Sequence, residues 1–211
     1  MPINARKSLN RLKDEVIHCK KCLDLVKTRK KPVPGTGASK GRIIIVGNYP
    51  SIEGAEKTGI PYTNDSPGKL LRNILQEIHL SLSKDTYITY LVKCTPRKIS
   101  IKDNQEKNTQ VKLLKKHTNN CIYFLTKEIS IITPHIIISL GLDTSNIILE
   151  NFFSLGKKYS NMKKIHMRMF ENPSFKLVPF YEPQDVTERK VVTEKKYLED
   201  FKSLSKLLKV I

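Results

Sequence analysis

Four short apolar runs, each followed by a stretch with helical spacing, predict an α/β fold of three layers, α/β/α, around a mostly parallel central sheet. The runs are continuous and rich in β-branched residues, as in "RIIIVG" and "PHIIISLG", which suits strands covered on both faces. Strand and helix signals alternate along the chain, so each strand is joined to the next by a helical crossover. No low-complexity linker or internal repeat divides the 211 residues, and one domain over residues 1–211 is expected.

The elements follow in order. Residues 5–28 read as a helix with Leu9, Leu12, Val16 and Ile17 on one face, and this helix carries Cys19 and Cys22. "KTRKKPVPGTGASKG" holds two prolines, three glycines and a basic cluster, which makes an exposed loop; residues 1–40 thus form an N-terminal helix and basic loop. The first strand, "RIIIVG", ends at Gly47 in a long loop, "GNYPSIEGAEKTGIPYTNDSPG", whose length points to function. "KLLRNILQEIHLSL" is helical. "TYITYLVK" is the second strand and breaks at "CTPRK". After a polar stretch, "VKLLKKHTNNCIYFLTKEISII" is helical, "PHIIISLG" is the third strand and "LDTSNIILENFFSLG" the helix after it. "FKLVPFYEP" is the last strand and "VTEKKYLEDFKSLSKLL" the closing helix. In such sheets ligands bind beyond the carboxyl ends of the strands, here the loops that begin at Gly47, Cys94, Gly141 and Glu182.

Charge narrows the partner. The formal net charge is +18, and a surface of that sign binds phosphates with release of counterions, so nucleic acid is the expected partner. An acidic protein partner, or simply a lysine-rich composition, is the alternative. No apolar run reaches membrane-spanning length and the N-terminus lacks a secretory apolar core, so no membrane association and an intracellular location, cytoplasmic or nucleoid-associated, are expected. A monomer is expected.

The chain has four cysteines. Cys94 closes the second strand and Cys121 lies in the following helix, so both can approach Cys19 and Cys22. Four thiolates suit a tetrahedral zinc ion or a cubane iron-sulfur cluster. Cys94 and Cys121 could equally be ordinary buried thiols, since free cysteine is among the most buried residue types.

The order of segments resembles the iron-sulfur uracil-DNA glycosylases, family 4 of their superfamily. That family has a C-x-x-C near its N-terminus, a strand ending in G-E-x-P-G, a G-x-P-F-V-G-x-x-G-x-L-L loop entering a helix, Y-I-T-N-x-V-K-C, a later cysteine, and a late H-P-S. Here "HCKKC", "IIIVGNYPS", "GIPYTNDSPGKLL", "TYITYLVKCTPRK", "CIYFLTKEISIITPHIIISLG" and "LVPFYEPQ" occur in the same order over nearly the whole chain. The resemblance implies a uracil-DNA glycosylase-like fold, DNA as partner, base excision repair as the setting, and a 4Fe-4S cluster held by Cys19, Cys22, Cys94 and Cys121; zinc is the alternative cofactor.

The resemblance also implies a base pocket of Gly47, Tyr49, Pro50, Tyr62 and Tyr90, with Asn48, Glu53 and Glu182 as catalytic candidates. Tyr62 matches the aromatic that stacks on uracil. Asn48 replaces the usual glutamate; it can orient water but cannot act as a base. Glu53 could keep the motif's later acidic role, while Glu53 or Glu56 could simply be a solvated carboxylate. Tyr90 stands where an asparagine reads the uracil edge, and its bulk would fill the pocket or demand another ligand. Glu182 stands where a histidine belongs, and a carboxylate there repels a developing uracil anion unless burial keeps it protonated. Ordinary uracil excision is therefore less expected than the fold itself. His117 and His166 read as solvated basic turns rather than as the histidine by which one subgroup of the superfamily bonds covalently to uracil. Lys69, at a helix start, and Arg97, Lys98, Lys163, Lys164 and Arg168 are candidate phosphate contacts, as are Lys27, Arg29, Lys30 and Lys31.

Three functions are consistent with these residues: a glycosylase for uracil or another damaged base with an altered pocket, a catalytically inactive DNA-binding protein of the same fold, or a zinc-stapled nucleic-acid-binding protein.

Overall fold

The computed structural model describes residues 4–102, 105–156 and 158–208. Its strands are β1 (Thr36–Gly37), β2 (Ile43–Gly47), β3 (Thr86–Tyr90), β4 (Arg97–Lys102), β5 (Gln105–Gln110), β6 (Ile136–Leu140), β7 (Phe170–Glu171) and β8 (Lys176–Phe180). Its helices are α1 (Ala5–Ile17), α2 (Leu23–Thr28), α3 (Ala55–Thr58), α4 (Ser66–Glu77), α5 (Lys115–Ile132), α6 (Leu142–Phe152), α7 (Pro183–Thr187) and α8 (Glu194–Leu208).

The main sheet runs in the order β1-β3-β2-β6-β8-β7. Its four central strands are parallel, and the short edge strands β1 and β7 pair antiparallel. Every residue of β2, β3 and β6 is buried, which is why these segments read as unbroken apolar runs. From β2 the chain goes to β3 on one side and later to β6 on the other, so the topology switches direction at the carboxyl ends of β2 and β6. With right-handed crossovers that reversal puts α4 on one face and α5 and α6 on the other. Lys202 of α8 bonds Glu77 of α4 at 2.7 Å on the first face, and Tyr197 of α8 donates to the Tyr181 carbonyl at 2.8 Å.

Local chemistry sets the helix starts near the site. Asp65 caps α4 by accepting from the Gly68 amide at 2.8 Å, with a proline in the first turn, and Leu70, Leu71, Ile74 and Leu75 form its buried face. Asn4 caps α1 in the same way through the Lys7 amide.

The structure corrects several boundaries. The expected helix over residues 5–28 is broken: α1 stops at Ile17, where the His18 backbone and ring both bond the Asp14 carbonyl, and α2 begins after Cys22. The two N-terminal cysteines thus lie in the turn between helices. The second strand ends at Tyr90, and Leu91 to Cys94 continue as buried irregular chain. The following helix starts at Lys115 rather than at Val111. The polar stretch after Cys94 is an antiparallel hairpin, β4 with β5, that forms its own two-stranded sheet. Among the described residues no helix is long and apolar enough to cross a membrane.

Candidate functional site

At the carboxyl edge of the sheet, a cavity opens between the ends of β2 and β6. Asn48, Tyr49 and Tyr62 form one side, Gly141 and Asp143 the floor beyond β6, and Tyr181, Glu182, Asp185 and Arg189 the other side. Three sequence-predicted residues from distant segments, Asn48, Tyr62 and Glu182, therefore meet, together with Tyr49 and Lys163. Gly47, Pro50 and Tyr90 do not line the cavity; they lie behind it.

Tyr62 is buried and holds a left-handed backbone, φ 52°. Arg72 of α4 fixes that bend, its guanidinium donating to the carbonyls of Tyr62 at 2.6 Å and Pro61 at 2.7 Å. Gly47 admits the ring: a Cβ there would stand 2.0 Å from the Tyr62 hydroxyl oxygen. Behind Tyr62, Tyr90 stacks at a centroid distance of 5.0 Å, and its hydroxyl oxygen accepts from the Tyr62 amide at 3.0 Å. Desolvation raises both phenols well above their ordinary range. Tyr90, expected in the base pocket, is 3% exposed and does not line the cavity: its ring backs Tyr62 and its oxygen accepts from the Tyr62 amide.

Glu182 caps α7 and folds over Gly141, whose φ of 91° and bare Cα leave the space: a Cβ would meet the Glu182 side chain at 2.5 Å. Burial pushes the Glu182 carboxyl up to about 7; Arg189, at 3.1 Å, opposes this and Asp185 reinforces it. Asn48 presents a buried Oδ1 with no hydrogen-bond partner. Glu53, expected as a catalytic candidate, is exposed, pairs with Lys57 and lies outside the cavity. Glu56 is fully buried but serves Arg97 and the Lys30 amide.

The four cysteines meet at a second corner, at the end of the same β3. Cys19, Cys22, Cys94 and Cys121 line one small cavity with Arg29, Lys93 and Asn120. Each of three sulfurs receives a donor: Arg29 to Cys94 Sγ at 2.9 Å, the Lys93 amide to Cys121 Sγ at 3.3 Å, and Asn120 to Cys22 Sγ at 3.4 Å. Burial pushes the Cys121 thiol up to about 12 and raises Cys94 too, and the neighbouring thiols add to both shifts. Two buried thiols, Cys94 and Cys121, and two half-buried ones, Cys19 and Cys22, with Arg29 and N–H donors beside their sulfurs, are a donor set that a positively charged group would turn to thiolates. All four sulfurs belong to residues lining one small cavity, a donor set whose chemistry suits either a cubane cluster or a zinc ion.

Lys93 lies between the corner and the residues behind the first cavity. Its side chain is fully buried and its ammonium bonds Glu128 at 2.8 Å, the Tyr90 carbonyl at 2.7 Å and the Thr89 hydroxyl. In the sequence it is the lysine of "YLVKC", matching the V-K-C of the family pattern, but its burial and ion pair are not readable there.

Phosphate-contact candidates divide. Lys69, Lys98, Lys163, Lys164 and Arg168 are exposed, and Lys163 stands at the rim of the cavity. Arg97 is corrected: its guanidinium is buried against Glu56, where it locks the start of the hairpin to the site loop. Arg29 likewise turns inward to Cys94 and to the Cys19 carbonyl. His117 and His166 are corrected as well; His117 is buried and bonds Asp24 at 2.8 Å, and His166 bonds Asp200 at 2.9 Å.

Comparison with known sequences gives this geometry its relatives. Residues 34–203 match the family described as Uracil DNA glycosylase superfamily. A type-4 uracil-DNA glycosylase of Sulfurisphaera tokodaii is 32% identical over 209 residues, covering 95% of this chain and 84% of that protein. One from Archaeoglobus fulgidus is 29% identical over 95% of this chain and 93% of its own. One from Saccharolobus solfataricus is 35% identical over 77% and 68%. With the switch-point cavity in place and this likeness running along nearly all of its length, the chain belongs to the uracil DNA glycosylase superfamily.

Proposed function

We propose that this protein is a DNA base excision glycosylase, hydrolysing the N-glycosidic bond of uracil or another damaged base, with a 4Fe-4S cluster on Cys19, Cys22, Cys94 and Cys121. The observation that carries the activity is the meeting of Asn48, Tyr62 and Glu182 in one cavity at the topological switch point. A base flipped from DNA stacks on Tyr62. Asn48 accepts a hydrogen bond from the attacking water through its unpartnered Oδ1 and orients it, without taking its proton. Glu182, neutral below a pH of about 7, donates a hydrogen bond to the departing base and repels an anionic one once ionised. Lys163 at the mouth, with the exposed lysines elsewhere on the surface, holds backbone phosphates.

When bound, the cluster staples the turn at Cys19 and Cys22 to the end of β3 and the start of α5; four cysteines complete its coordination. Arg29, Asn120 and the Lys93 amide donate to the sulfurs and balance their charge.

Tyr90 favours a second reading, a DNA-binding protein without the chemistry, because it occupies the place of the base-reading amide and is already satisfied. The deciding experiment is base release from single-stranded and duplex oligonucleotides with deaminated bases, using anaerobically prepared protein with its cluster verified by visible absorbance. Free base and an abasic site are expected. Salt-dependent binding with no release from a wide lesion panel would establish the second reading.

A further inference from the structure

The cavity offers acceptors where uracil needs donors. Asp143, Glu182, Asp185 and Glu188 line it, and Asn48 adds a buried, unpartnered oxygen. The cations present do not cancel this set. Arg189 is already paired with Glu182 and with Asp185 at 2.8 Å, which leaves Lys163 at the rim. Amides of Asn48, Asn161 and Gln184 line the cavity, but none stands at the position of the family's base-reading asparagine, where the Tyr90 oxygen is held by the Tyr62 backbone. Uracil presents two carbonyl acceptors and leaves as an anion, and both properties are opposed by such a wall. A purine alkylated on a ring nitrogen has the reverse character: it is cationic, presents an exocyclic amine as donor, and departs as a neutral molecule. Its charge is attracted by the carboxylates and by the π face of a tyrosine.

We infer that the cavity takes cationic, N-alkylated purine bases flipped from DNA, with Tyr62 as the stacking surface and Glu182 as the carboxylate facing the positive charge. This rests on the glycosylase reading above. In the step, a water oxygen bonds to the sugar C1′ as the C1′–N bond breaks. The bonding pair passes to the ring nitrogen and neutralises the base, and the water proton goes to solvent. No group is needed to stabilise an anion, which accounts for a carboxylate where the family places a histidine. Glu182 ionises opposite the cation, because an opposite charge favours the charged form.

Two measurements test this. The first is the release of N7-methylguanine, N3-methyladenine and uracil from matched duplexes. The second is binding to a duplex whose N7-methylguanine is made uncleavable by a 2′-fluoro substituent, against the same duplex with guanine. The methylated purines should leave at least about tenfold faster than uracil, and the methylated duplex should bind more tightly. Glu182→Gln should erase that preference and slow release by about tenfold to a hundredfold, the effect of losing a charged hydrogen bond. Asp143→Asn, at an exposed position, should weaken the preference by several-fold without affecting folding. Preferred excision of uracil, with no preference for the methylated duplex, would overturn the inference and leave the glycosylase reading standing. A binding preference without release of any base would support the cavity's chemistry and overturn hydrolysis. Salt-dependent DNA binding with neither preference nor release would overturn both.

Discussion

The cysteine corner and the cavity between the ends of β2 and β6 both adjoin the segment from Tyr90 to Cys94, yet one keeps the family pattern and the other departs from it. At the corner every thiol that the resemblance implies is present, and the added groups, Arg29, Asn120 and the Lys93 amide, all donate to sulfur. Around the cavity, which Tyr62 and Gly141 line, the polar groups differ from the family pattern: Asn48 stands for a glutamate, Tyr90 behind the wall for an asparagine, and Glu182 for a histidine. The physical difference lies in what each region must satisfy. A four-thiol corner answers to one ligand and fails if any donor is lost. A pocket wall answers to whichever base it admits, and it can be rebuilt one side chain at a time if the scaffold below holds.

The largest effect should come from breaking the corner. Cys94→Ser or Cys121→Ser should abolish bound iron and visible absorbance and lower Tm by about 10 °C or more, since a group bound only by the folded chain stabilises by mass action. Tyr90→Asn with Glu182→His, on the cavity side, should leave the absorbance intact and admit uracil. A serine variant that keeps its iron and its Tm would refute the four-cysteine assignment.

Lys93 is where the two regions can be uncoupled. Its ion pair with Glu128 is almost wholly buried, with side-chain exposures of 1% and 2%. Lys93→Met leaves a buried carboxylate beside Tyr87 and Thr89 and should cost about 3–5 kcal/mol in urea denaturation. Pairing it with Glu128→Leu should restore most of that loss. A single variant as stable as the parent would mean that water reaches Glu128 and that the link is not a structural one.

Glu182 sharpens the comparison through pH. Its folded pKa, about 7, lies above the ordinary 4.5, so the unfolded chain releases this proton first as pH rises. The neutral carboxyl's contribution is therefore complete below about pH 4.5 and is lost progressively up to about pH 7, by at most about 3 kcal/mol. The urea midpoint should fall across that window in the parent and stay flatter in Glu182→Gln; equal slopes would show that the carboxyl is solvated.

Much of this was legible because of burial. The four parallel strands announced themselves as "IIIV", "TYITY", "IIIS" and "KLVPF", since residues covered on both faces have no polar alternation. The break at His18 was not, because the apolar spacing of Leu9, Leu12 and Val16 runs on to Leu25 without a glycine or proline to mark the turn. The hairpin was hidden for the opposite reason: β4 pairs only with β5, so it needs no apolar face toward the core. Meetings of distant side chains were illegible in principle. Arg97 is 41 residues from Glu56, and nothing in a basic run distinguishes the arginine that turns inward from the lysines that do not.

That last distinction gives the smallest and most specific prediction. Lys163 is exposed at the mouth of the cavity, whereas Arg97 is buried in an ion pair behind the site loop. If both were phosphate contacts, replacing either would reduce the slope of log K against log salt by about 0.9, one counterion each. Lys163→Ala should do so while leaving the urea midpoint within about 0.5 kcal/mol of the parent, as surface substitutions do. Arg97→Ala should leave the slope unchanged, provided the protein is still folded, and should instead lower stability by stranding the Glu56 carboxylate. The two variants remove the same formal charge from the chain, so a difference between them can come only from where the fold has put that charge. Equal salt slopes would place Arg97 on the DNA and require the site loop to open when DNA binds.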